Sequence, residues 1–456
     1  MTSSIQSRLM RFLSFTIALM LFAGNFCHAL TPASNIEDTN HLGTDWTISA
    51  STVIAGRHTN IGWFTINSGV SIQVQKSTLT ASPWVGRLGT VEIYASTIQI
   101  LGTLSASGSG PGHTNTCADG YGPGGGFRGQ NGVECYGGCN ESGGGGAGHG
   151  GNGKQGATNQ SCLQGGVGGT NYGTAGLVTY PPSSDDNLVG SQGGASCLAA
   201  NQAGSGGGSI LLSGASVTIS GEVVASGNNG QSNDGGNGSG GGILIDAYYL
   251  TASNVNAPGG GVSAGAGAAG GRIKLFYFLL SSGSFSVAGG DGGGCAPGAN
   301  GGTGTKYQYI KPSTVALISP TDGGSSTSTA VQFDWTDTAG SSSPYSYDFQ
   351  VSTSVNFVPT YFALRVSASN CTSTKTFDAG SYYWRVAGVD NWGFTSAWST
   401  VSVLSVTPPP NIVDQDHGGS NWTISVDTEI AGRHTNIAIL TINSGVTLSV
   451  KASTIP

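Results

Sequence analysis

Short runs in which apolar and polar residues alternate recur along the chain. Val91-Glu92-Ile93 leads to Ile98-Gln99-Ile100 and Leu104, and Ile210-Leu211-Leu212 leads to Val217-Thr218-Ile219 and Val223. Ile243-Leu244-Ile245 leads in the same way to Leu250 and Val255, and Ile273-Lys274-Leu275 to Phe285 and Val287. Period two in runs this short predicts strands. The last three runs begin 33 and 30 residues apart, so one strand face returns at a near-constant interval. That interval predicts coils stacked as a solenoid, with Gly at the corners. From about 312 to 407 the pattern changes to runs rich in Trp, Tyr and Val. Val331-Gln332-Phe333-Asp334-Trp335, Tyr347-Asp348-Phe349-Gln350-Val351-Ser352 and Ala379-Gly380-Ser381-Tyr382-Tyr383-Trp384-Arg385-Val386 predict strands of a separate sandwich.

A longer period overlies these runs. Aligning residues 38 to 78 with 414 to 454, at a constant offset of 376, gives 25 identities in 41 positions. Asp45-Trp46-Thr47-Ile48-Ser49, Ile54 to Ile61 and Thr65 to Val70 return as Asn421-Trp422-Thr423-Ile424-Ser425, Ile430 to Ile437 and Thr441 to Val446. The repeat implies an array of modules, with a second module beginning near residue 412; the chain is expected either to be a fragment of a longer protein or to end in strands that cap something.

Composition changes the picture in one respect. Of 456 residues 79 are Gly, and 62 of these lie between 101 and 310. Hydrophobic residues still make up 37%, enough for buried cores, while charged residues are only 9%. The segment 108 to 205 holds no clear strand and is rich in Gly and Cys. Its Gly runs either pack as polyproline-II-like helices or stay disordered.

The amino terminus points to export. Arg8 and Arg11 precede the apolar run Phe12 to Phe22, which fits a signal-peptide core and is too short to span a bilayer. Cleavage is expected after Ala29, with no transmembrane segment beyond it. Net charge is −7, or −9 without Arg8 and Arg11, so there is no basic footprint for nucleic acid. In an oxidising compartment Cys117, Cys135, Cys139, Cys162, Cys197 and Cys295 are disulfide candidates of unassigned pairing, and Cys371 is the odd one. Zinc on Cys135-x3-Cys139 with His113 or His149 is the rival reading, and it lacks a four-ligand spacing. Asn140, Asn159, Asn237, Asn370 and Asn421 head Asn-x-Ser/Thr sequons.

The Gly-Gly-x-Ile-x-Ile strands followed by Gly-x-Val and a Gly-rich turn resemble the right-handed parallel β-helix proteins of secreted and surface-exposed polypeptides. The buried-Trp strand, Gly380-Ser381-Tyr382-Tyr383-Trp384-Arg385-Val386 and the closing Ser396-Ala397-Trp398-Ser399 resemble fibronectin type III. These resemblances imply an all-β chain: signal peptide 1–29, solenoid 30–311 with the insert 108–205, fibronectin type III-like domain 312–407, Pro-rich linker 408–411 and a second solenoid start 412–456. Some β-helix proteins are polysaccharide lyases or glycosidases, which need paired carboxylates, or calcium with a basic residue, on neighbouring coils. No two acids of residues 90 to 310 align in that way. Glu222 and Asp246 read as solvated turn carboxylates. The repeated Gly56-Arg57-His58 and Gly432-Arg433-His434 read as turns capping a coil, and Trp46 and Trp422 as core anchors. No calcium repeat, metal site or cofactor site is expected. The expectation is a secreted or cell-surface structural or adhesive protein, whose partners are extracellular polysaccharide or other surface proteins. The alternatives are a polysaccharide-active enzyme and a carbohydrate-binding surface protein.

Overall fold

A computed structural model describes residues 38–76, 89–112, 118–128, 144–156, 165–176, 189–195, 203–230, 235–261, 266–292, 300–328, 330–336, 346–367, 372–407 and 415–450. Among the described residues there is no helix, and the chain divides into two compact units between Lys311 and Pro312.

The first unit contains β1 (Thr39–Asn40), β2 (Trp46–Ile48), β3 (Thr52–Ile54), β4 (Gly56–Ile66), β5 (Ser71–Val74), β6 (Thr90–Ile100) and β7 (Thr103–Ser105). It continues with β8 (Ser209–Ile219), β9 (Glu222–Val224), β10 (Gly242–Asn256), β11 (Arg272–Tyr277), β12 (Leu279–Ser286) and β13 (Thr305–Ile310). All thirteen belong to one parallel sheet. The strand β10 pairs with β8 through residues 242–252 and with β9 through Val255 and Asn256, so the sheet curls around a bend. The alternating runs stack in register: Val91 on Ile210, Ile243 and Ile273, and Leu104 on Val223, Val255 and Phe285. Their inward side chains form one core with Ile93, Ile98, Ile100, Leu212, Ile219, Ile245 and Leu275, all fully enclosed.

The Gly-rich segments between the strands are ordered without being strands. Gly236 and Ser239 donate to Gly194 and Ser191, Asn237 and Gly240 to Ala266 and Ala269, and Gly238 and Gly241 to Asn228 and Ala225. Each neighbour is thus met every third residue, which is the repeat of a polyproline-II helix. Gly204 and Gly207 donate likewise to Gly236 and Ser239, and Gln192 and Ala195 to Tyr121 and Ala118. Of the two readings of the Gly runs, the described parts of 108–205 therefore follow the packed one. The segments approach closely where a glycine leaves out the Cβ: a Cβ on Gly236 would sit 2.1 Å from the Gly145 carbonyl oxygen, and one on Gly194 2.0 Å from that of Phe127. The backbone amides find partners in neighbouring segments, as buried polar groups must.

The second unit contains β14 (Leu317–Ser319), β15 (Gly324–Ser326), β16 (Ala330–Trp335), β17 (Ser346–Ser352), β18 (Phe362–Ser367), β19 (Thr372–Thr376), β20 (Gly380–Val389) and β21 (Ser402–Val406). They form a three-stranded sheet, β14-β16-β19, and a five-stranded sheet, β15-β21-β20-β17-β18. Alternation along β16 turns Val331, Phe333 and Trp335 inward to meet Tyr347, Phe349, Trp384 and Leu404. The Arg385 guanidinium lies between the Phe357 ring at 4.0 Å and the Trp398 ring at 4.3 Å, which gives the closing Trp its place. Residues 415–450 repeat the module start with three short parallel pairs, including Trp422–Ile424 with Leu440–Ile442.

Candidate functional site

Several charged residues of the first unit, Arg57, Glu92, Asp246 and Lys274 among them, lie on the face of the sheet opposite its core. Arg57, Glu92, Leu211, Leu244, Lys274 and Tyr307 occupy one register row across β4, β6, β8, β10, β11 and β13. Arg57 Nε donates to Glu92 Oε2 at 2.7 Å, and the Tyr94 hydroxyl donates to the same oxygen at 3.2 Å. Glu92 is 1% exposed and Arg57 7%. Burial opposes the Arg57 charge, but the hydrogen bond and charge of Glu92 outweigh it and hold the guanidinium above its ordinary value. Burial, and then the Glu92 charge, push the Tyr94 phenol far up. Two residues further along the strands, Asp246 pairs with Lys311 Nζ at 2.5 Å. Asp246 is thus an ion-pair partner rather than a solvated turn carboxylate. Glu222 is likewise engaged, accepting from Asn254 and Asn256 amides at 3.2 and 3.4 Å.

Glu92 and Asp246 therefore share a sheet face two strands apart but stand two residues out of register, since the Glu92 row meets β10 at Leu244. Two strand steps put them roughly 10 Å apart in the hydrogen-bonding direction. A pair of acids on one face is the raw material for glycosidic chemistry, but each carboxylate here already has a cation. Glu92 is enclosed as well, so neither is presented to a substrate as a free acid or base.

A second cluster ties the glycine bundle to the sheet. Arg272 donates to the carbonyls of Tyr172 at 2.6 Å, Gly173 at 3.2 Å and His149 at 3.3 Å, and to Thr305 Oγ1 at 2.7 Å. His149 is fully buried, stacks on Tyr172 at 4.7 Å and donates from Nδ1 to Gly240 O at 2.7 Å. Its Nε2 has no hydrogen-bond partner among the described residues. Burial lowers its pKa to about 4, and the Arg272 and Lys274 charges act in the same direction. His149 is thus a neutral structural group of the bundle. The cysteines and His113 that the zinc reading would add lie outside the described residues.

The third cluster is the duplicated one. His41 Nε2 lies 3.2 Å from His58 Nδ1, and the Trp46 ring stacks on His41 at 4.6 Å and tilts against His58 at 4.5 Å. His58 Nε2 must donate to Ala55 O at 3.2 Å, because a carbonyl only accepts, so its Nδ1 is the acceptor for His41. Burial pushes His58 and His41 below their ordinary value, and His41 adds to the shift of His58. The same triad returns with His417 and His434 at 3.1 Å, both stacked on Trp422 at 4.4 and 4.8 Å. Sequence reading singled out His58, His434 and the Trp residues but missed His41 and His417. Their persistence through a repeat that changes 16 of 41 positions was the available signal.

The disulfide candidates Cys117, Cys135, Cys139, Cys162, Cys197 and Cys295 all lie outside the described residues, as do Cys371 and the sequons at Asn140, Asn159 and Asn370. Asn421 is exposed. Asn237 is not available to a glycan in the folded chain. It is 0% exposed, its amide donates to Ala266 O at 2.9 Å, and its oxygen accepts from Gly230 N at 2.9 Å. Among the described residues no three metal-ligating side chains come together, and no helix is long and apolar enough to cross a membrane.

No family model matches the chain, and no curated protein matches it. Among solved structures it is similar to an Fn3-like protein from Clostridium thermocellum, with 21% identity over 22% of this chain and 94% of the other, at a TM-score of 0.16. It is also similar to an engineered protein, with 14% identity over 23% of this chain and 22% of the other, at a TM-score of 0.17. The chain is all-β, with a large curled parallel sheet and a weak Fn3-like structural neighbour.

Proposed function

We propose that this is a secreted or cell-surface modular protein with a structural or adhesive role and no catalytic activity. Its first unit is read as a β-helix-like solenoid and residues 312–407 as a fibronectin type III-like spacer. The observation that carries the proposal is the repeat: the module start recurs 376 residues on and keeps the same His-Trp-His cluster, as expected of an array assembled from like parts. Supporting it, the acids of the sheet face serve ion pairs and hydrogen bonds beneath the surface. The rival reading is a polysaccharide-active enzyme, and Glu92 with Asp246 are the residues it would use. Product release from pectins, alginate and neutral polysaccharides, with and without Ca2+, tests between the two. The proposal expects release no greater than from a heat-killed control. Turnover that falls in Glu92→Gln or Asp246→Asn would overturn it.

A further inference from the structure

Among the described residues the curled sheet has an open stretch on its outward face. Trp63, Thr97, Ser216, Tyr249 and Leu279 stand in one register row across β4, β6, β8, β10 and β12. Trp63 is 51% exposed, Tyr249 46% and Leu279 52%. The next outward row continues with Thr65, Gln99, Thr218 and Thr251. Trp63 and Tyr249 are separated by three strand steps, roughly 14 Å at the usual spacing. Tyr249 is braced rather than loose: Tyr248 meets it edge-on at 4.9 Å and is itself stacked on Phe278 at 4.8 Å.

Two properties of this stretch select its partner. No residue of either row is charged, and the acids that flank it along β10 and β9, Asp246 and Glu222, are already engaged by Lys311 and by Asn254 and Asn256. Asp45 accepts from the Trp63 backbone amide at 2.8 Å. An anionic partner finds no cation in either row. The two exposed rings are also separated by the hydroxyls of Thr97 and Ser216, so the apolar surface is interrupted where a protein interface would have its desolvated core. A chain carrying apolar C–H faces and hydroxyls in alternation matches both features. Its C–H groups lie against the negative faces of the rings, while its hydroxyls meet Thr, Ser and Gln.

We propose that this face binds a neutral polysaccharide laid across the strands, with sugar rings on Trp63 and Tyr249 and hydrogen bonds to Thr97, Ser216, Thr65, Gln99, Thr218 and Thr251. The proposal rests on the adhesive reading and names its ligand class. The second module start carries Ile439 where the first has Trp63, so it lacks the first ring of the platform.

The test is affinity electrophoresis of the full mature chain in gels containing xylan, mannan, mixed-linkage glucan, alginate or polygalacturonate, with Trp63→Ala and Tyr249→Ala alongside. Both side chains are half exposed, and thermal melts check that the variants fold. At least one neutral polysaccharide should retard the wild type, and each variant should bind it about tenfold more weakly, the loss of one stacked ring. Retardation by none of the neutral polysaccharides, or by the acidic ones alone, would overturn the proposal. So would variants that bind as the wild type does. Self-association abolished by the same variants would reassign the face to a second copy of the chain. Each of these outcomes leaves the non-catalytic reading standing, because only turnover in the product-release assay removes that.

Discussion

The glycine bundle of the first unit and the aromatic core of the second exclude water by opposite means. Around Phe333 the interior is filled by large rings, with Trp384 at 5.0 Å and Phe349 at 4.9 Å between centroids, and the hydrophobic effect supplies the driving force. In the bundle there is almost nothing to bury except backbone. Order there depends on hydrogen bonds between segments that can approach only because a side chain is missing. A core of rings can yield by changing rotamers. A bundle of backbones has no rotamers to change.

The largest expected effect breaks the bundle and spares the core. In Gly236→Ala the new methyl lies 2.1 Å from the Gly145 oxygen and 2.7 Å from its carbonyl carbon, neither of which is a flexible end. A loss on the order of 5 kcal/mol, enough to prevent folding of the first unit, should appear in denaturant melts. Ile243→Val in the neighbouring sheet should cost only about 1 kcal/mol. Next in size is Arg57→Leu, which takes the Arg57 guanidinium from the enclosed Glu92 carboxylate and should cost about 3 kcal/mol in the same melts.

Acid should distinguish the two units. The unfolded His149 takes up a proton near 6.5, while in the fold its pKa is lowered to about 4, so the unfolded state binds more protons between those values. Stability is full above about pH 6.5 and falls as the pH drops towards 4, by about 3 kcal/mol for this residue alone. His41 and His58 act in the same direction. Melts of the first unit followed from pH 8 to 4 should show this slope, and His149→Asn should reduce it to the part that His41 and His58 supply. The smallest effect sharpens the rule about glycine. Gly69 has φ +76° and nothing within 4 Å of its absent Cβ, so Gly69→Ala should cost about 1 kcal/mol, from backbone strain without collision.

What could be read beforehand follows from what carries a side-chain signal. The runs at Val91, Ile210, Ile243 and Ile273 announced strands and even their stacking, because alternation survives in short segments. The inward turn of Phe333, Trp335 and Trp384 was equally legible. The bundle was not, since glycine has no face to pattern: the period of three lies in hydrogen bonds to distant segments, and disorder would use the same composition. The Arg57–Glu92 pair escaped for another reason. Glu92 is simply the outward residue of an alternating strand, and its partner lies 35 residues away in sequence on the next strand. The platform of Trp63 and Tyr249 was hidden likewise, since only the register places residues 186 apart in one row.

The most direct test of the account is native-state hydrogen exchange on residues 30–456, comparing peptides spanning 144–156 and 235–241 with one spanning 242–256. Because amides of the bundle donate to neighbouring segments, their exchange should be slowed to the same degree as that of β10. Exchange of the bundle peptides at the rate of an unstructured chain, with β10 still protected, would contradict it.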